Sequence, residues 1–529
     1  MNLHRVFEML KTFCLLLSIN ATALAQGDFL QTWRSITDNT ENLSDSARLY
    51  KLFDAQWQQA MYENPEWATY VGYPGQNHRW SDNSLEAIER RNNEQFVVQK
   101  ALHSIDRAKL NRPDQLNYDL AEARLKNDIE GQKFKGEYLA ISPLGGVHQD
   151  GVQLLNDMPV TTVKQCEDIL SRLRGYPILV EQNIALLEEG LKTGITPARV
   201  TLPEVPQQVL NQIVANPAEA PMLGAFKELP ASVPATEQDR IRKEAYQIYT
   251  GQIVPALNRL HQFLVQRYLV GCREEIGCSA LPDGPAWYAY LCKIHTTTQM
   301  TPDEIFNLGL SEVKRIRAEM DKVIAQIGFK GDFAAFCNFL RTDPQFFFDK
   351  PEDLLTEYRN ICKKADPELI KLFGRLPRLP YGVEPVPSYA EKSQTTAYYN
   401  GGSLEAGRPG IFFANTYDLK SRPKWEMEPL SLHEAVPGHH LQTAIAAELE
   451  GLPEFRKRGW FTAYGEGWGL YSEKLGEEMG FYTNPYSKFG QLSYEMWRAI
   501  RLVVDVGMHA KGWSKQQAID FFTSNVGKA

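Results

Sequence analysis

The sequence predicts a mainly helical protein, two helical lobes flanking a central cleft, with a small β-sheet beside the helix that carries the chemistry. Three observations predict it. Apolar residues recur at three- and four-residue steps over long stretches, the spacing of one helical face. Capping residues stand at the starts of those stretches. β-branched and aromatic runs around glycine-rich turns are confined to one short region.

The first 25 residues stand apart. Arg5 and Lys11 precede the apolar run Phe13-Cys14-Leu15-Leu16-Leu17-Ser18-Ile19, and Ala23-Leu24-Ala25 fits a small-x-small cleavage site. An export signal cut after Ala25 is expected, and with it a periplasmic or secreted protein. The apolar core is too short for a membrane anchor, and Cys14 is not beside the cut, so lipidation is not indicated.

Helices are expected over 44–63, 82–110, 113–134, 161–193, 236–270 and 301–327. Thr301-Pro302-Asp303-Glu304 is a strong start: a cap, proline at the first position, then acids. Proline-rich breaks fall near 202–206, 217–221, 229–234 and 376–388. The 217–235 break is taken as the boundary between an N-terminal helical lobe (26–235) and a catalytic lobe (236–529), which share an interface and form one integrated unit.

A composition of 43% hydrophobic, 11% aromatic and 23% charged residues in 529 is that of a globular enzyme. The net charge of -8 becomes slightly more negative when Arg5, Lys11 and Glu8 leave, which argues against nucleic acid or an anionic membrane as partner. Six cysteines remain after the leader: Cys166, Cys272, Cys278, Cys292, Cys337 and Cys362. Disulfides are permitted in an exported chain, and Cys272 with Cys278 is the favoured pair; no C-x-x-C pattern suggests a cysteine zinc site.

The runs Thr395-Thr396-Ala397-Tyr398-Tyr399-Asn400 and Gly410-Ile411-Phe412-Phe413-Ala414-Asn415-Thr416 read as a β-hairpin. Tyr398, Tyr399 and Tyr464 are candidate oxyanion donors, although aromatic core is the more frequent role for any one of them.

Leu432-His433-Glu434-Ala435-Val436-Pro437-Gly438-His439-His440, followed by Tyr464-Gly465-Glu466-Gly467-Trp468, carries the chemistry. Nitrogen donors, one oxygen donor and a spare carboxylate to work on a water are what one catalytic zinc ion needs. The spacing departs from H-E-x-x-H, because Pro437 stands where the second histidine would be. On an undistorted helix His439 would lie about 120° around the axis and about 9 Å along it from His433, while His440 would be in phase but about 10.5 Å away. Proline removes a helical hydrogen bond and glycine accepts unusual angles, so a bulge at Pro437-Gly438 is expected to bring the second imidazole back. An isolated His-Glu pair is usually a surface pair; here Pro-Gly inside the stretch and an acid between aromatics at Glu466 favour a metal.

Tyr494, Arg498, Arg501, Asp505 and His509 follow at steps of four, three, four and four, a polar stripe on an otherwise apolar helix. It is either a salt-bridge ladder, Arg501 with Asp505, or a face of the cleft. In the second reading an arginine grips a peptide's terminal carboxylate through a bidentate fork and His509 or a tyrosine stabilises the oxyanion. Arg501 and His509 are the chosen residues, with Arg498 and Tyr464 as substrate contacts.

The segments HEAVPGHHLQ, AYGEGWGLYSE, RLVVDVGMHAKGWS and LPDGPAWYAYLCKIHTTTQMTPDEIFNLGLSEVKRI resemble the bacterial family called domain of unknown function 885, grouped with the gluzincin metallopeptidases. The resemblance covers most of the mature chain. It implies a gluzincin-like fold, His433 as first ligand, Glu434 as general base and Glu466 as third ligand, because EGWGLYSE resembles the E-x6-E helix of related carboxypeptidases. Gly438-His439 matches the family's Gly-His, so His439 is the implied second histidine, with His440 as the alternative. Dipeptidyl peptidase III enzymes are a precedent for such a lengthened motif. In gluzincins a strand beside the metal helix pairs with extended substrate, which implies that role for the second run, with Phe413 at the substrate; the alternative is a small hairpin that only packs on the helices.

The expected function is zinc-dependent hydrolysis of short peptides by an exopeptidase of carboxypeptidase or dipeptidase type, using one Zn2+. The alternatives are a catalytically degenerate peptide- or metal-binding protein, or a hydrolase of non-peptide amides or esters.

Overall fold

A computed structural model describes residues 26–388, 391–392 and 394–526. The expected leader lies outside the described residues. The helices fall close to where the periodicity puts them: Asp45–Glu63, Leu85–His103, Arg112–Gly131, Val163–Thr193 and Pro302–Ile327. Thr162 with Gln165 and Thr301 with Glu304 form reciprocal capping boxes, each satisfying two otherwise orphaned backbone donors. The stretch expected at 236–270 is helical from Ala235 to Gly271, but widens to π-turns at Tyr249–Ile253 and Leu264–Tyr268. The first wide turn precedes Pro255, which has no N–H to give to an α-helical ladder.

One hydrophobic core forms around Trp33, Leu49, Leu52 and Leu102 of the N-terminal helices. A second is built on the long helix Val163–Thr193, where Leu170, Leu173 and Tyr176 pack with Phe226, Val233, Ile241 and Leu257. These last four stand on both sides of residue 235, so the proline-rich segment at 217–235 is packed into one core and is not a linker. A third core joins Pro302–Ile327 to the helix Pro485–Ala510 through Ile316, Met320, Met496 and Ile500. No helix among the described residues is long and apolar enough to cross a membrane.

Besides a two-residue pair, β1 (Ile141–Ser142) with β2 (Gly145–Gly146), there is one small sheet: β3 (Tyr381–Pro385), β4 (Ala397–Asn400) and β5 (Gly410–Ala414). Its order is β3-β5-β4, with β3 parallel and β4 antiparallel to β5. The β4–β5 hairpin matches the sequence, but β5 is not an edge. A parallel partner occupies its other side, and its Phe412 and Ala414 are fully buried against Met427 and Leu430 of the helix Met427–Glu434. The free edge beside the cleft is β4. The N-terminal half clasps this hairpin: Tyr70 donates to Asn400 Oδ1 at 2.6 Å, Arg408 donates to the Tyr70 carbonyl at 2.9 Å, and Ser403 donates to the Val71 carbonyl at 3.1 Å.

The expected disulfide is not formed; all six described cysteines are free thiols. Arg273 holds the 272–278 loop by donating to the Thr196 and Gly277 carbonyls at 2.9 Å each, and Cys278 Sγ faces the Gly284 carbonyl at 3.9 Å. Protein lacking its first 25 residues should therefore titrate six thiols in denaturant, and a reductant should leave its Tm unchanged; fewer thiols would reveal a bond.

Candidate metal centre

The helix Met427–Glu434 ends one residue after His433, and a new helix, His439–Glu448, starts at the second histidine. The expected bulge within one helix is thus a full break. Gly438 is required there by space: a Cβ would lie 1.8 Å from the His433 carbonyl oxygen. The Val436–Pro437 peptide is cis. His440 N–H reaches back to the Ala435 carbonyl at 3.1 Å, and Trp468 Nε1 donates to the Pro437 carbonyl at 2.8 Å, so both ends of the turn are tied.

The break turns the two imidazoles toward each other. Their ring centroids are 4.6 Å apart and the planes nearly perpendicular, at 84°. Glu466, from the helix Thr462–Leu475, completes the set: one donor atom from each of His433, His439 and Glu466 lies within 4.8 Å of the others. Glu466 Oε2 is 3.6 Å from His433 Nε2, and Oε1 is 3.8 Å from His439 Nε2. This group could hold a metal ion.

His440 is elsewhere. Its Nδ1 meets the Tyr399 hydroxyl at 2.9 Å and its ring packs on Tyr381, with centroids 4.6 Å apart. Burial pushes its pKa down to about 4, so it stays a neutral core histidine.

Glu473, which the motif spacing alone does not single out, is fully buried and accepts from His433 Nδ1 at 2.8 Å. Glu466, Gly469 and Glu473 stand at i, i+3 and i+7, one face of one helix. The His433 ring fills the gap between the carboxylates: a Cβ on Gly469 would come within 2.4 Å of His433 Cε1. A carboxylate on Nδ1 fixes the tautomer that leaves Nε2 for a metal, the outer-sphere arrangement common to metal-binding histidines. The signal was legible in E-x2-G-x3-E.

His439 Nδ1 and Gln442 Oε1 are both buried without a hydrogen-bond partner, a donor and an acceptor one turn apart that suit each other. The donor chemistry therefore fits a dication such as zinc: two imidazoles and one carboxylate, with Nδ1 of the first histidine already engaged.

Burial disfavours a charged His433, yet hydrogen bonds to Glu466 and Glu473 outweigh it and lift the pKa to about 9. The same contact with His433 holds Glu466 well below the usual carboxylate range. Burial, then the charge of His433, pushes His439 down. Glu434 is pushed up to about 7 by burial, which the opposing attraction of His433 only partly offsets. Arg498 Nη2 sits 3.2 Å from His433 Nε2 and 3.3 Å from Nδ1. One N–H cannot point down two diverging lone pairs, so this guanidinium lies over the ring face. It is also 3.8 Å from Glu466 and 3.9 Å from Glu473.

A cavity of about 1190 Å³ opens onto the cluster, and Glu434, Arg498, Arg501, Tyr464, Tyr494 and Tyr399 are in its wall. Tyr464 stands at the rim, 68% exposed. Arg501 is exposed and has no carboxylate partner among the described residues; the Arg501–Asp505 ladder is not formed, since Asp505 accepts from Tyr288 at 2.6 Å. Three expectations are corrected. His509 is not in the cavity: its Nδ1 accepts from the Cys278 backbone N–H at 3.0 Å and its ring stacks on Tyr288. It shares a helical face with Arg498 but lies about 16 Å further along the axis. Phe413 stacks on Tyr398 on the central strand and does not line the cavity. The Tyr399 hydroxyl is committed to His440, and only its backbone reaches Glu434.

The pattern of the family described as "Bacterial protein of unknown function (DUF885)" matches residues 65–529. No curated protein matches the sequence. The structure is similar to that described as "the putative lipoprotein from Colwellia psychrerythraea", with a TM-score of 0.86 and 23% identity, covering 92% of this chain and 87% of that one. This likeness shows a shared mainly helical fold.

Glu473→Gln should lower metal affinity roughly 10- to 100-fold, the usual cost of losing an outer-sphere carboxylate, measured by competition with a chromophoric chelator. Gly469→Ala should do at least as much by displacing the imidazole. Unchanged affinity in both would detach this face from the metal site.

Proposed function

The chain belongs to the DUF885 family, and from that premise we propose that it is a zinc-dependent hydrolase of peptide bonds in short peptides, of exopeptidase type. One observation carries the reading: three donor atoms within 4.8 Å of one another, with a buried carboxylate beside them that is not a donor, at the wall of a cavity large enough for several residues of peptide. Three protein donors leave a zinc position open, as catalytic sites do.

His433, His439 and Glu466 would hold the ion, which supplies a Lewis acid that acidifies a water and polarises a carbonyl oxygen near neutral pH. The remaining work falls to this chain's residues. Glu434 takes the proton of the attacking water and passes it to the amine as the C–N bond breaks. The β4 edge, whose residues from Thr395 to Gly402 line the cavity with the exception of Asn400, offers backbone groups to an extended peptide in the manner of an added strand. Tyr494, in the wall near Glu434, is the phenol available to a developing oxyanion. Arg501, one turn along the helix from Arg498, is free to take a terminal carboxylate through its planar fork. The leader pattern of residues 1–25, together with the lipoprotein description of the similar structure, supports export to the periplasm.

Glu434→Gln should keep zinc by elemental analysis while turnover falls ~100- to 10,000-fold; an unchanged rate removes Glu434 from the base role. His433→Ala and His439→Ala should lose zinc, whereas His440→Ala should retain it. Product masses from peptides blocked at either end give the direction of cleavage. Turnover of acylated amino acids or lactams but not peptides would move the activity to another amide class.

A further inference from the structure

The wall of the cavity has a charge opposite to that of the protein. Eight of its side chains are lysine or arginine and three are acidic, in a chain whose net charge is -8. Two of the three acids are Glu434 and Glu466, the proposed base and ligand, so only Glu426 remains to balance the outer wall.

The cations come from four separate segments. Arg341 ends the helix Phe333–Thr342, Lys420 and Arg422 follow β5, Arg456 and Arg458 lie at the short helix Glu454–Lys457, and Arg501 is on the long helix Pro485–Ala510. Arg341, Lys420 and Arg501 are exposed and have no carboxylate partner among the described residues. Arg422 is fixed by neutral acceptors, the Asn415 carbonyl at 3.2 Å and Ser421 Oγ at 2.7 Å, and Arg456 donates to Asn117 at 3.1 Å. Three of the eight do face carboxylates: Arg458 is held by Glu454 at 3.2 Å and Glu405 at 3.5 Å, Lys457 by Glu454 at 2.9 Å, and Arg498 lies 3.8 Å from Glu466 and 3.9 Å from Glu473. The positive charge not matched by a neighbouring carboxylate is thus that of Arg341, Lys420 and Arg501, with Arg422 and Arg456 held by neutral acceptors.

Ionic strength decides how such a wall is felt. At physiological salt the screening length is about 8 Å, so acidic residues on the far surface are hidden from a ligand in the cleft while the wall is not. A concave wall of one sign between low-dielectric sides raises the local concentration of ligands of the other sign.

We infer that this site takes acidic peptides, with aspartate or glutamate side chains as well as a free C-terminal carboxylate, gathered by the cationic wall around the metal cluster. The inference rests on the peptidase reading for the identity of the ligand as a peptide.

The test measures binding apart from turnover. Zinc-loaded Glu434→Gln protein is titrated, by fluorescence anisotropy, with labelled pentapeptides rich in Glu, in Gln or in Lys. The Glu peptide should bind at least tenfold more tightly than the Gln peptide, the Lys peptide weakest, and the preference should shrink as salt rises. The double variant Arg341→Glu/Lys420→Glu, with both changes on exposed side chains and its Tm checked, should abolish the preference. Equal binding of all three peptides, or an unchanged preference in the double variant, overturns the inference. A heparin fragment that binds where the Glu peptide does not would also overturn it, by assigning the wall to a polyanion of another class. If the Glu peptide binds as expected but the wild-type protein cleaves no peptide, catalysis fails and acidic-peptide recognition stands; if neutral peptides are bound and cleaved as well as acidic ones, the reverse holds.

Discussion

The candidate site depends on one buried hydrogen bond, His433 Nδ1 to Glu473 at 2.8 Å. Glu473 is fully buried, and its second oxygen has no partner. A half-satisfied buried carboxylate is costly, of order a few kcal/mol, and is tolerable only with a strong donor on the other oxygen. His433 provides that donor whether its Nε2 carries a proton or faces a metal, since Nδ1–H points at Glu473 in both states. The contact therefore sets the ring's direction independently of what occupies the cluster. It also requires two helices to approach more closely than side chains usually allow, which Gly469 permits. Tyr482 reinforces the approach by donating to the Glu473 carbonyl at 2.6 Å.

With His433 fixed, the turn after it has to deliver the second imidazole within a few ångströms. Ala435 N–H still closes the first helix by bonding the Ser431 carbonyl at 2.9 Å, and Gln442 N–H already belongs to the second helix, bonding Gly438 at 3.0 Å. Only Val436, Pro437 and Gly438 lie between. Starting a new helix at residue 439 separates consecutive histidines: His439 enters the cluster and His440 turns into the core beneath the sheet, where Tyr381 and Tyr399 receive it. An uninterrupted helix would have placed these neighbours only about 100° apart, without delivering either to His433.

How much of this was legible follows from what each pattern encodes. Amphipathic spacing and caps located the helices because both are local properties of the chain. The hairpin was legible for the same reason. The strand order was not, because the parallel partner of β5 is set by packing of a distant segment and leaves no mark in the run 410–414. Periodicity gave the azimuth of Arg498, Arg501 and His509 correctly but is silent on distance along the axis, and that distance removes His509 from the cavity. The spacing of Cys272 and Cys278 bounded a loop without saying where the thiols point. Glu473 was in plain view at the end of Glu466-Gly467-Trp468-Gly469-Leu470-Tyr471-Ser472-Glu473, but its value appears only when the glycine between the acids is seen as room for a ring.

Charge balance ties the centre together. Three carboxylates, Glu434, Glu466 and Glu473, crowd around two imidazoles and one guanidinium, Arg498. Glu434 and Glu473 are buried, and an uncompensated charge there is costly, which draws the set toward neutrality. Without metal, a protonated His433 and Arg498 supply two positive charges against three negative ones. Burial raises Glu434, to about 7, and raises Glu473 as well, so a proton taken up on one of these buried acids brings the set to neutrality. A dication at the cluster, with both histidines neutral, reaches the same neutrality with Glu434 ionised. The carboxylate that would act as base is therefore one whose charge state a metal at the cluster would influence, and the Arg498 guanidinium, 3.8 Å from Glu466 and 3.9 Å from Glu473, contributes to the same balance.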